Sequence, residues 1–342
     1  MKNILISFVL CAFTLTSIAQ QAKDTLNKTD KEGRKQGYWK KKDDKGVLKY
    51  EGRFVNNQPT DTFKYYYPEG TIKAISFYSA NGKKSRTLTF YPNGNKMSIG
   101  NYINQKKDSL WKYYNEMGVM VKDEFYNTTL AHGEWHTYNA DGSLIDKTTW
   151  KYGVKDGPWE QNFSSAFSSG TVKATYKKGK LEGLFQIFNS DGKLRTSGSY
   201  KDDYKSGLWI KYRIDNGLPC KKMYYSKDRL MKQEALVMVA NKQLSINFDS
   251  IAYVYSNSGK AYLRKFSNIT LQLNESITEI DDILGTDNFM KISKGFTANY
   301  TSIKGVQAFE NKFLKVKLNP PTDTDVISDE ESTKALEALF KK

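Results

Sequence analysis

One skeleton recurs eight times along this chain, and a period held that long dictates the fold before any other feature does. Its first positions are Gly37, Asp61, Ser85, Ser109, Gly133, Gly157, Gly183 and Gly207, spaced by 24 residues except for a step of 26 between Gly157 and Gly183. Two residues further on stand Trp39, Phe63, Thr87, Trp111, Trp135, Trp159, Phe185 and Trp209, aromatic in every unit but the third. Five residues on come Tyr66, Phe90, Tyr114, Tyr138, Phe188 and Tyr212, with Lys42 and Asn162 breaking the column. Nine on, a glycine appears as Gly46, Gly70, Gly94, Gly118, Gly142 and Gly192, displaced to Gly170 and Gly217 in two units. Seventeen on, Phe54, Tyr78, Tyr102, Tyr126, Trp150, Tyr200 and Tyr224 close the unit, with Tyr176 in that place after the insertion.

A strand of about six residues, a turn with Asp-Gly, Asn-Gly or Glu-Gly, and a second strand make one β-hairpin. Asn56-Asn57, Asn81-Gly82, Tyr152-Gly153 and Lys178-Gly179 supply the turns that return the chain to the next unit. A single hairpin is marginal in water, whereas stacked neighbours bury a continuous strip. The fold class is therefore mainly β: an elongated antiparallel β-hairpin solenoid of about eight 24-residue repeats over 37–230. Trp39, Trp111, Trp135, Trp159 and Trp209 are expected in its core, because fixed aromatic positions are what stacking needs. On that reading Trp135→Ala costs about 3–5 kcal/mol.

Residues 1–19 carry Lys2, an apolar run from Ile4 and small residues before Gln20, the layout of a cleavable signal peptide. The run is short for a bilayer-spanning helix, which needs about 20 residues, so the mature chain is expected to have no transmembrane helix. Loss of Cys11 with that segment leaves Cys220 without a partner for an intrachain disulfide. Residues 20–36, polar and without period, read as a linker. The formal net charge of +16 fits anionic partners, and it also fits lysines that keep sheet edges soluble.

His132 and His136 are the only histidines, and their segment is a turn entering a strand, not a metalloprotease helix. No metal site is expected there. Neither a nucleophile with its base nor a glycine-rich phosphate loop occurs, so no cofactor and no catalytic residue are assigned, and the chain reads as non-enzymatic.

After Asp228 the period stops. Residues 229–242 read as a bridging strand, and 243–319 as a small β-rich domain with one short helix. Its strands fall at Ile251–Tyr255, Ala261–Phe266, Phe289–Ile292, Ile303–Phe309 and Phe313–Leu318. Its helix runs from Ser276 to Leu284, with Glu279 at the capping-box position and Gly285 as the stop. Residues 320–342 read as a linker and a short C-terminal helix, edged by Leu336, Leu339 and Phe340, that either docks or frays.

The unit Gly-x-Trp-x-x-Tyr, turn glycine, then a second strand closed by an aromatic resembles MORN repeats, in particular the bacterial YwqK-like variant, over 37–230. That resemblance implies a β-sheet scaffold for proteins or lipids. Residues 243–319 resemble a LytTR-type DNA-binding domain in the short helix, Phe289-Met-Lys-Ile-Ser-Lys294, Asn299 and Ile303. The family's binding residues transfer as Lys291, Ser293 and Lys294; lysines stand where arginines are usual, and Ser293 replaces the histidine.

The favoured reading is an exported scaffold (periplasmic, outer-membrane associated or secreted) that binds a protein or an anionic envelope or lipid component. The alternative is a DNA-binding regulator with a repeat sensor, the only reading in which nucleic acid is a partner. A hydrolase of envelope polymers ranks last.

Overall fold

The structure, a computed structural model, describes residues 26–166 and 168–340. The signal-peptide segment 1–19, with Cys11, lies outside the described residues. Two compact units divide the chain at residue 120. The first contains the strands Lys35–Lys42, Leu48–Val55, Gln58–Tyr66, Ile72–Ser79, Lys84–Phe90, Lys96–Ile103 and Lys106–Tyr114, each antiparallel to the next. The part of 20–36 that is described does not run free as a linker: Lys28–Thr29 pairs with Gln36 and Lys35. Asn27 fixes that pairing by clasping Lys40, donating from Nδ2 to its carbonyl at 3.1 Å and accepting its N–H at 2.8 Å.

Two kinds of turn alternate. At the glycine end, Asn139 N–H donates to Ser143 O at 2.8 Å, Gly142 takes φ 87°, and the pairing slips by a bulge between Thr137 and Tyr138. The tight two-residue turns lie instead at the return positions. Asn56 and Asn57 both have positive φ, as do Thr128 and Thr129, and Asp202 and Asp203. Left-handed φ at both central residues matches the twist of the flanking strands, and Asn and Asp tolerate it best after Gly.

After Trp39, which opens the array, the rings of the column rest on the hairpin before their own. A Cβ added at Gly52, Gly100 or Gly198 would come within 2.5, 2.1 and 2.0 Å of the rings of Phe63, Trp111 and Trp209. Those glycines are seats for the next ring. The indole N–H completes the attachment: Trp111 donates to Asn101 O at 3.0 Å and Trp209 to Ser199 O at 3.2 Å. Where unit three has Thr87 instead of a ring, the seat is Ser76, and the two hydroxyls hydrogen-bond at 2.9 Å, so this unit stacks regularly too. Asn162 likewise bridges its neighbours, donating to Leu144 O and accepting from Thr171.

The column is core to different degrees. Phe63, Trp111 and Trp209 are 2 % exposed, whereas Trp39, Trp135 and Trp159 are half-buried. The expected 3–5 kcal/mol for Trp135→Ala therefore comes down. Part of that ring already faces water, and a half-buried side chain stabilises by roughly 1–2 kcal/mol.

The second unit continues the hairpins from Val121. The bridging segment is a full hairpin, Arg229–Val239 with Lys242–Asn247. Five strands follow in the spatial order Thr270–Gln272, Lys260–Lys265, Ile251–Asn257, Phe296–Asn299, Phe289–Ser293, with a three-stranded sheet of Ile303–Ala308, Leu314–Leu318 and Val326–Ile327. Helix α1, Ile277–Leu284, starts on the expected capping box, Ser276 with Glu279, and stops at Gly285 with φ 68°. Helix α2, Glu330–Phe340, is docked: Leu336 is 0 % exposed among Ala252, Ile292 and Val316.

No linker separates repeats from domain. Cys220, Ala235 and Val237 of the last repeat strands share one apolar core with Phe248, Leu263, Ile280 and Phe289 of the domain. Cys220, a free thiol, is buried there. Arg213, in the turn between the two strands of the last repeat hairpin, forms ion pairs with Glu275 and with Glu279, the latter at 3.2 Å.

Candidate functional site

Two surfaces qualify, one on the domain and one on the repeats. On the domain, Met290 and Ile292 turn to the core that holds Leu336 of α2, and Phe289 and Lys291 turn to the opposite face, where Phe289 packs with Ile280 and Ile283 of α1. A bulge between Lys291 and Ser293 then separates them. Lys291 turns to α1, with Nζ 3.5 Å from Asp281 Oδ2. Asp281 also accepts from Thr297 at 2.7 Å. Ser293 lines a cavity of about 430 Å³ shared with Tyr253, Arg264, Phe296, Asp323 and Asp325. Lys294 lies exposed in the following turn. The three residues named from the sequence thus occupy three environments, and the structure does not gather them into one reading patch.

The tail adds negative charge beside that strand. Asp329 N–H and Ser332 Oγ both donate to Ile292 O, which holds the start of α2 against it. Across 241–341 twelve basic side chains meet thirteen acidic ones. A duplex-reading surface gains most of its affinity from a clear excess of basic contacts to phosphate, and this domain has none.

The repeats hold the opposite balance. Of the net charge of +16, +13 lies on the repeats. Part of it is placed on the aromatic column by a pattern that the period alone did not reveal: a lysine two residues before the first position of a unit. In the first unit of the molecule Lys35 Nζ lies 4.9 Å from the Trp39 ring centre and Lys107 Nζ 5.1 Å from that of Trp111. In the second, Lys155 lies 4.7 Å from Tyr176 and Lys205 4.9 Å from Trp209. An ammonium over an aromatic face is held electrostatically while its stem covers the ring. The lysines thus close the exposed side of the column and carry charge outward.

The other marked residues are structural. Gly70, Gly94, Gly118, Gly142 and Gly192 all take positive φ at their turns. His136 Nδ1 lies 2.8 Å from Asp123 Oδ1, and Tyr138 donates to the same carboxylate at 3.1 Å. His132 packs on Tyr152 with ring centres 4.9 Å apart. Among the described residues no three His, Cys, Asp or Glu side chains gather as metal ligands. Nor, among them, is any helix long and apolar enough to cross a membrane.

Comparison with known proteins agrees with this division. Residues 62–80, 86–104 and 181–202 match the MORN repeat variant, and residues 241–341 match the LytTr DNA-binding domain. The unit with Thr87 is among the matched ones. No curated protein matches the chain. Among solved structures, similarity extends to the LytTr DNA-binding domain of a protein described as a methyl-accepting/DNA response regulator from Bacillus cereus, at 15 % identity and TM-score 0.27, over 32 % of this chain and 97 % of that one. A second similarity is to a TcdB2-TccC3-Cdc42 crystal structure, at 12 % identity and TM-score 0.15, over 82 % of this chain and 16 % of that one.

Proposed function

We propose that this chain, in which MORN-variant repeats run into a LytTR domain, is an exported, non-enzymatic scaffold whose basic repeats bind an anionic envelope component or an acidic protein. The observation that carries the reading is the separation of charge: the repeats hold +13 of the net +16 and the domain of a DNA-binding family is close to neutral. Summed surface charge attracts an anionic partner over about a Debye length, so the attachment is salt-dependent. The export half of the reading rests on the sequence of residues 1–19.

The test combines cell fractionation with flotation of the full chain on vesicles. Recovery in the envelope or medium, and flotation with phosphatidylglycerol vesicles that weakens as salt rises and is absent with phosphatidylcholine, supports the lipid form. Crosslinking to an acidic envelope protein without flotation supports the protein form. A cytoplasmic chain with neither partner overturns the reading.

The LytTr match over 241–341 favours a second reading, a DNA-binding regulator. Nucleoid association of the full chain, with duplex retention whose salt dependence is lost on replacing Lys291 and Lys294 by Gln, would put it first.

A further inference from the structure

Where the last repeat hairpin meets α1, a cavity of about 520 Å³ opens between strand and helix. Its floor comes from Arg195, Lys211 and Cys220 of the repeat strands, and its helical wall from Glu279, Asp282 and Ile283. The size lies in the range of small-molecule sites, roughly 300–1,000 Å³.

The charges in it are unevenly settled. Arg213 is neutralised by Glu275 and Glu279. Arg195 and Lys211 have no carboxylate partner among the described residues, and Arg195 Nε is buried without a hydrogen-bond acceptor. Lys211 also stands directly across the strand pair from Lys221, itself 9 % exposed. Like charges placed opposite each other cost stability, and an unpaired buried donor costs more. Burial and the nearby Lys211 push the Lys221 ammonium down to about 8. The acids Asp215 and Asp282 sit at the exposed rim, where water screens them. The interior is therefore left electropositive, with an apolar side formed by Tyr212, Ile214 and Ile283.

We propose that this cavity binds a small organic anion, its carboxylate or phosphate held between Arg195 and Lys211 and its apolar body against Tyr212, Ile214 and Ile283. The ligand would touch both the last repeat and the helix of the LytTR domain, so its binding adds to the contact already made by Arg213. This site is independent of the partner proposed for the outer face of the repeats.

Calorimetric titration of the full chain with phenylphosphate, phenylacetate and inorganic phosphate tests it. The expected result is one site per chain for at least one phenyl anion, with inorganic phosphate ten-fold weaker or more, since it lacks the apolar body. The tighter phenyl anion identifies the acid group. Arg195→Gln and Lys211→Gln should each weaken that anion about ten-fold or more, the loss of one charge-assisted hydrogen bond. Neither should lower the melting temperature, because each dilutes a cluster of like charge. If one variant fails to fold, the other carries the comparison. No saturable binding of either phenyl anion, equal affinity for inorganic phosphate, or unchanged affinity in the folded variants overturns the site.

Discussion

The repeats and the domain bury their apolar side chains by different rules. In the domain, Ile251, Val254, Leu263 and Ile292 are 0 % exposed and meet side chains from every direction. In the repeats a ring meets the hairpin before it, the aromatic that closes its own, and a lysine stem above. Trp209, for example, lies on Gly198, 5.3 Å from Tyr200 and 6.1 Å from Tyr225 between ring centres, with Lys205 over it; Tyr225, opposite Gly207, takes the closing place that the period assigns to Tyr224. The lesson is that a repeat unit is stable as a member of a series, whereas the domain is stable as a whole. The last hairpin belongs to both, since Cys220, Ala235 and Val237 join the domain core.

The strongest way to break that comparison is to remove one large ring from each region. Trp209→Ala and Phe289→Ala should each cost about 3–5 kcal/mol. Amide exchange should show the first as faster opening confined to the neighbouring hairpins, and the second as loss of protection throughout the domain and in strands Pro219–Ser226 and Arg229–Val239. Equal spread from both substitutions would remove the distinction.

Arg213→Met probes the junction. Glu275, whose side chain is 2 % exposed, would be left as a buried carboxylate, held among the described residues by Met238 N–H at 2.8 Å. The expected loss is about 3–4 kcal/mol by chemical denaturation, and Arg213→Met with Glu275→Leu should recover most of it.

Gly198→Ala tests the seats. The new Cβ would overlap the Trp209 ring, at a cost of about 1–3 kcal/mol, whereas Gly305→Ala, with open space around its Cα, should change stability much less.

The smallest effect is a pH dependence. Burial is the main reason the Lys221 ammonium falls to about 8. An unfolded lysine titrates near 10.4, so the folded state carries the charge at a cost below pH 8, and stability rises as pH climbs from about 8 to about 10.4. Lys221→Met should therefore melt higher than the parent at pH 7, by about 1–2 kcal/mol, and the difference should vanish above pH 10. The ammonium lies 4.6 Å from the Phe248 ring centre, and that attraction offsets part of the cost.

Local signals in the sequence were readable where one residue type has one physical job. The period, the turn glycines, and the start and stop of α1 at Ser276, Glu279 and Gly285 belong to this group. The seats were not readable as a column, because Gly52, Ser76, Gly100, Glu124, Thr148 and Gly198 share no residue type and no size. The pairing of Arg213 with Glu275 was hidden for a different reason: 62 residues separate them, and no local pattern links their side chains. Docking of α2 through Leu336 is likewise a tertiary contact. Of the candidate reading residues, positions could be named but directions could not, since the bulge after Lys291 decides which way Ser293 turns.

The seats also give the array a polarity and a reason to end. Apart from the unit with Thr87, a hairpin between two others receives a ring from its successor and offers its own to its predecessor, so a duplicated unit can be spliced in at an interior joint. After Trp209 the succession halts: the residue opposite it is Met223, which faces Gln233 on the following strand in place of another ring. The following strand brings Gln233 to that seat where a ninth ring would lie, and the succession of rings stops where the domain begins.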